Sequence, residues 1–106
     1  MSDFYCDEAL SGRTRVEVVR DTPHVLAFHH TRPAYPVHVV VVPKRHIPSL
    51  VELPADSEMA AEILRVLAEV ADEIALTHGA ASVVTNLGAY QESQHLHFHV
   101  IVREES

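Results

Sequence analysis

The segment His95-Leu96-His97-Phe98-His99-Val100-Ile101-Val102 decides how the rest of this chain is read. In an extended strand successive side chains point to opposite faces, so His95, His97 and His99 share one face and Leu96, Phe98 and Val100 the other. At a rise of roughly 3.3 Å per residue the imidazoles stand about 6.5–7 Å apart, while the apolar face packs on a core. Histidine has no strand propensity that would select it three times in succession, so a solvent-facing stripe that happens to be histidine is the weaker explanation. Two chemistries compete for such a face. His-x-His on a strand is a ready ligand pair for zinc. Phosphoryl chemistry needs an unprotonated nitrogen aimed at phosphorus, with donors beside it for the oxygens, and a histidine cluster supplies both. The chain holds nine histidines and a single cysteine, Cys6, and that balance favours phosphoryl chemistry. The competing zinc set is Cys6, His46 and one of the strand histidines, with Asp3 standing in for a second thiolate. It is a weak set.

Upstream, Val37-His38-Val39-Val40-Val41-Val42-Pro43 is a β-branched run of the kind found in a central strand covered on both faces, ended by proline. It carries His38 as a polar residue among valines, either a satisfied core histidine or a further functional one. The preceding Arg32-Pro33-Ala34-Tyr35-Pro36 reads as a rigid loop, because proline fixes its own φ and pushes its predecessor to extended geometry. Residues 24–29 form a strand, joined by a turn at Asp21-Thr22-Pro23 to an alternating strand over residues 15–20. One long helix starts at Asp56 or Ser57 as N-cap. Met59, Ile63, Leu64, Leu67, Val70, Ala71 and Ile74 line its apolar side, with Glu58, Glu62, Arg65, Glu69 and Asp72 opposite. Gly79 supplies its stop. Residues 81–86 read as another strand, Gly88 as a tight loop, and residues 95–102 as the last strand.

The 106 residues contain no linker, repeat or composition break, so a single α+β domain over residues 1–106 is expected. With 47% hydrophobic residues the chain has ample material for one core. The longest apolar runs are too short or too interrupted by charge to span a bilayer, so no membrane span is expected. The opening Met1-Ser2-Asp3-Phe4-Tyr5 carries an acid where a secretory leader would be basic, which points to the cytoplasm. One cysteine allows no intrachain disulfide and agrees with a reducing compartment. A net charge of −7 argues against nucleic acid as a partner, while leaving room for a small nucleotide in a local pocket.

Four segments, in order, resemble the histidine triad (HIT) superfamily, nearest its Hint-like branch, over roughly residues 4–103. They are His24-Val25-Leu26-Ala27-Phe28-His29, then the run from Pro36 through His38 and Pro43-Lys44-Arg45-His46-Ile47, then Asn86-Leu87-Gly88, and finally His95-Leu96-His97-Phe98-His99-Val100. The last fits the alternating histidine and apolar motif of the family in full. The resemblance implies a five-stranded antiparallel sheet with one long and one short helix, usually paired into a homodimer. It implies no cofactor and no catalytic metal.

The resemblance also implies roles. His97 is the nucleophile, attacking the α-phosphorus of a nucleoside 5′-phosphate derivative, such as a phosphoramidate, to give a covalent nucleotidyl-histidine that water resolves. His99 donates to the phosphate oxygens, and His38 with His95 sits behind His97 as a relay. Asn86 and Gln91 bind ribose or phosphate, or are simply loop-forming. Phe28 and His29 belong to the nucleoside pocket, although Phe28 also reads as plain core. Two positions depart from the pattern. His30 stands where the branch carries an acid for the ribose hydroxyls, and Glu92 stands where a hydroxyl assists the leaving group, with Ser93 as the nearest substitute. Dinucleoside polyphosphate hydrolysis or nucleotidyl transfer is the alternative enzyme reading. A nucleotide-binding or zinc-binding module without catalysis is the third.

Overall fold

The structure is a computed structural model that describes residues 15–104, so Asp3 and Cys6 of the competing zinc set lie outside the described residues. Its sheet is antiparallel and five-stranded: β1 (Val18–Asp21), β2 (Val25–His29), β3 (Val37–Pro43), β4 (Ser82–Thr85) and β5 (Phe98–Val102), in the spatial order β1-β2-β3-β5-β4. One long helix, α1 (Glu58–His78), covers one face of it. The expected α+β arrangement is therefore present. The short helical segments among the described residues are 3-10 turns at Leu50–Glu52 and Gly88–Tyr90.

The helix begins where the Ser57 hydroxyl accepts the Ala60 amide and ends where Gly79 takes a left-handed φ of 88° and donates its N–H to the Ala75 carbonyl. Ile63, Val66 and Val70 are buried against Val39, Val41, Phe98 and Val100. Each such side chain taken from water contributes about 1.5–3 kcal/mol. The intervening residues of the strands build a second apolar cluster on the opposite face, from Leu26, Phe28, Val40 and Val42. The valine run of β3 is thus covered on both sides, as its lack of alternation predicts.

Three boundaries differ from the sequence pattern. β1 is regular only over Val18–Asp21, with a register shift inside it between Val18 and Arg20, and Asp21 still pairs with Leu26. The strand expected over residues 81–86 is regular only over Ser82–Thr85. The last strand is regular only from Phe98, since β3 ends at Pro43 and residues 95–97 find other partners: the Leu96 amide donates to the Ile47 carbonyl at 2.6 Å.

The helix stripe also needs a correction. Leu64, placed on the apolar side by periodicity, is 67% exposed, whereas Glu62, placed on the solvent side, is buried. The β1–β2 turn explains the exchange. It offers the Glu62 carboxylate the Thr22 hydroxyl at 2.5 Å, the His24 backbone N–H at 2.6 Å and His24 Nδ1–H at 2.9 Å. These donors, the two side-chain hydrogen bonds foremost, hold the Glu62 pKa down to about 2 from an ordinary value of 4.5.

Because that pKa is lower in the folded chain, the stabilisation is complete above about pH 4.5 and is lost as pH falls toward 2. Thermal melts of the wild type and Glu62→Gln should show it: the substitution lowers the Tm by several degrees at pH 7, and the gap between the two closes below pH 4. An equal gap at pH 3 and pH 7 would mean that the charge of Glu62 does not contribute.

Candidate active site

Antiparallel pairing of β3 with β5 sets His38 opposite Ile101 and Val40 opposite His99. His38 and His99 are consequently diagonal neighbours on the face turned away from α1, a spacing that aromatic rings can bridge. They do: His38 Nε2 and His99 Nδ1 lie 2.8 Å apart. His30, two residues of alternation beyond Phe28, stacks on His38 with ring centroids 4.4 Å apart, and Tyr35 meets the His38 ring edge-on at 5.3 Å. The His97 ring stands nearly perpendicular to that of His99, at 4.9 Å.

Backbone groups orient the rings of His97, His95, His38 and His30, while His99 is held through His38. His97 Nδ1–H donates to the His95 carbonyl at 2.7 Å, which puts the lone pair on Nε2. The Thr85 hydroxyl, from β4, donates to the His97 carbonyl at 2.7 Å and steadies the segment just before β5. His95 is fully buried, and its Nε2–H donates to the Pro43 carbonyl at 2.9 Å, so a side chain supplies the bond that the ladder lacks at the end of β3. The Ala34 amide donates to His38 Nδ1 at 3.1 Å and the Arg32 amide to His30 Nδ1 at 2.9 Å.

A cavity of about 300 Å³ opens beside these rings, lined among others by His30, Arg32, Tyr35, His38, Asn86, Glu92 and His99. Its imidazoles are driven to the neutral state. Burial lowers the pKa of His38 and His99 to about 4, helped by the neighbouring His30 for the first and by His97, His38 and His30 for the second. Burial also lowers His97, and its bond to the His95 carbonyl offsets some of this. His30 moves down for the same reason, with Glu92 pulling the other way.

The residues singled out from the sequence divide into those the fold brings together and those it does not. His97, His99, His38, His30, Asn86 and Glu92 meet at or beside the cavity. His38 touches His99 rather than standing behind His97, and His95 contributes its carbonyl to His97 while its ring turns toward Pro43 and His46. His29 is on the helix side of the sheet, one step out of phase with Phe28 and His30, beside Val39 and Ile74. Phe28 is 1% exposed within the second apolar cluster. Gln91 is buried with its amide donated to the Pro48 carbonyl, which ties the two 3-10 turns together. Ser93 is buried, and its hydroxyl has no hydrogen-bond partner among the described residues. Arg32, Ala34 and Tyr35 were not expected here. Their only signal was Pro33 and Pro36, which stiffen the loop that carries them.

Comparison with known proteins agrees with this arrangement. The sequence profile described as the HIT domain matches residues 12–106. A HIT-like protein of Methanocaldococcus jannaschii is 37% identical over 104 residues, covering 96% of this chain and 79% of the relative. Among solved structures, a histidine triad protein from Clostridium difficile superposes with a TM-score of 0.80 at 32% identity, covering 100% of this chain and 94% of the other. A protein described as a HIT family hydrolase from Legionella pneumophila gives 0.82 at 28% identity, covering 98% and 95%.

Depressed histidine pKa values have a measurable consequence. Between about pH 4 and 6.5 the unfolded chain binds protons that His38 and His99 refuse when folded, so stability rises with pH across that window. Denaturant unfolding at pH 5 and pH 7 should show the wild type less stable at pH 5, and the double variant His38→Gln/His99→Gln should reduce that difference. An unchanged difference in the double variant would assign the effect to other groups.

Proposed function

The chain belongs to the HIT domain family, and on that premise we propose that it hydrolyses nucleoside 5′-phosphate derivatives of the phosphoramidate type, with His97 as nucleophile. The observation that carries this reading is the bond from His97 Nδ1–H to the His95 carbonyl. It selects the tautomer whose Nε2 lone pair can attack phosphorus. A P–N bond forms to Nε2 as the bond from phosphorus to the leaving amine breaks, and the amine departs with the bonding pair and takes up one proton. Water then attacks phosphorus, the bond to Nε2 breaks, and the nucleoside monophosphate leaves with the lone pair returned to His97.

His99, whose ring lies 4.9 Å from that of His97, is placed to donate to the phosphoryl oxygens, where charge accumulates as the nucleophile arrives. Asn86, across the cavity, suits a ribose or phosphate oxygen. His30 and Glu92 line the same space, so the wall that receives the nucleoside presents an imidazole and a carboxylate. An intact third histidine at His99 favours hydrolysis over nucleotidyl transfer, and the likeness to the Legionella pneumophila HIT family hydrolase supports the same choice.

A cytoplasmic enzyme and a homodimer complete the reading. Among the described residues no helix is long and apolar enough to cross a membrane. Among the described residues β4 is an edge strand with no partner on its outer side, and its Val83 is 48% exposed on the side facing α1, where Leu76 is 79% exposed. An open, apolar edge of this kind suits pairing with a second copy of the chain.

Turnover of adenosine and guanosine 5′-phosphoramidates, with and without EDTA, tests the activity. The wild type should hydrolyse at least one of them in EDTA, His97→Ala should lose at least a thousandfold in kcat/KM, and a nucleotidyl adduct should appear by intact mass in the wild type alone. Turnover retained by His97→Ala, or abolished by EDTA, would sink the proposal. Sedimentation at micromolar concentration tests the assembly: a dimer that Val83→Glu converts to monomer is expected, and a monomeric wild type would exclude it.

A further inference from the structure

The hydrogen bonds around the cavity determine where the histidine protons are. A backbone amide can only donate, so the 3.1 Å bond from the Ala34 N–H makes His38 Nδ1 an acceptor and leaves the proton of neutral His38 on Nε2. That proton then points at His99 Nδ1, 2.8 Å away, which must accept it. His99 in turn carries its own proton on Nε2. The same logic applied to the 2.9 Å bond from the Arg32 N–H to His30 Nδ1 leaves His30 with an Nε2–H. Both amides belong to the short loop bracketed by His30 and His38, in which Pro33 sits between them.

We propose that the Arg32–Ala34 loop is a positioning element whose backbone amides fix the tautomers of the histidine stack, so that His99 and His30 act as neutral hydrogen-bond donors rather than net sources of a proton. The inference rests on the hydrolase reading only where it concerns turnover. Its chemical consequence follows from counting protons. If neutral His99 gave up its Nε2 proton and drew a replacement from His38, His38 would be left with no ring proton at all, an imidazolate facing an amide that cannot supply one. The chain from Ala34 through His38 to His99 therefore has a closed end. It strengthens the His99 N–H toward a phosphoryl oxygen by successive polarisation, while the proton that the departing amine takes up is not drawn from this chain of rings.

The rings of the stack are closely crowded. His30 lies against His38 and within 6.3 Å of His99, Tyr35 meets the edge of His38, and the His97 ring stands against His99. Two cationic rings among them would repel each other, and a proton added to His38 Nδ1 would face the Ala34 N–H, another donor. Arg32 and Glu92 line the cavity itself, and of the two it is the Glu92 carboxylate that pulls toward a charged ring, against the burial of the stack.

Long-range ¹H–¹⁵N correlation on ¹⁵N-histidine-labelled wild type at pH 7 reads these tautomers directly. The expected result is protonated Nε2 and bare Nδ1 for His38, His99 and His30, with the reverse for His97. A proton on Nδ1 of His38 or His99, or a charged ring at either position, would overturn the proposal whether or not the protein turns over any nucleotide. Ala34→Pro removes the donated N–H, and His38 should then populate both tautomers, while Ala34→Gly keeps the amide and should retain the wild-type pattern. If the phosphoramidates are substrates, kcat of Ala34→Pro should fall roughly tenfold with little change in KM, the equivalent of one lost hydrogen bond to the reacting group. Wild-type tautomers in a folded Ala34→Pro would show that the loop amide does not set them.

Discussion

Pairing of β3 with β5 places Val40 opposite His99, His38 opposite Ile101 and Val41 opposite Phe98. Because side chains alternate, this register sends Val39, Val41, Phe98 and Val100 into the core under α1 and the histidines to the other side. A slip of one residue would put His38 or His99 against Ile63 and Val66, burying polar nitrogens without partners. The site and the core are therefore specified by the same hydrogen-bond ladder. The valines that α1 buries hold the register, and the register holds the 2.8 Å contact between His38 and His99.

What the ladder does not supply, nearby backbone does. At the end of β3 the chain turns away at Pro43, and the first two histidines of the motif precede the regular portion of β5. There the bonds run from the His95 ring to the Pro43 carbonyl, from the Leu96 amide to the Ile47 carbonyl, and from the His97 ring to the His95 carbonyl. Segments outside a ladder must satisfy their polar groups some other way. Here the irregular stretch does so in a manner that also sets the His97 tautomer. Gln91 acts in a comparable way just ahead of the motif, where its buried amide fastens the preceding loop to Pro48.

The alternation at residues 95–99 and the unbroken valine run were enough to read the sheet, its two-sided burial and the adjacency of His97 and His99, because these depend on local period alone, whereas the ring of His95, in the bend before β5, turns instead to Pro43 and His46. Helix α1 was legible for the same reason, with caps at Ser57 and Gly79. Its errors at Glu62 and Leu64 came from long-range donors: no helical period reveals that the turn at Thr22 and His24 will meet a carboxylate some forty residues away. That His29 faces the helix side while Phe28 and His30 face the other way follows from strand alternation rather than from the Phe28-His29 pair read as a unit. The loop amides at Arg32 and Ala34 could not be read at all, since a backbone donor has no signature in the side chains.

Crowding makes neutrality a condition of the fold as well as of the chemistry. Ring centroids among His30, His38, His99 and His97 are separated by 4.4 to 4.9 Å from one ring to the next. Two imidazolium charges at that distance repel by about 3–4 kcal/mol at an effective dielectric constant near 20, and removing either from water adds a further penalty. Those costs are comparable to a large fraction of the stability of a domain this size. Protonating the stack would therefore work against the β3–β5 face that positions it. Neutral rings need fixed partners to be ordered, and the amides and carbonyls around them are such partners. A nucleophilic nitrogen that must carry a lone pair near neutral pH is thus favoured by the same desolvation that lets the histidines pack together.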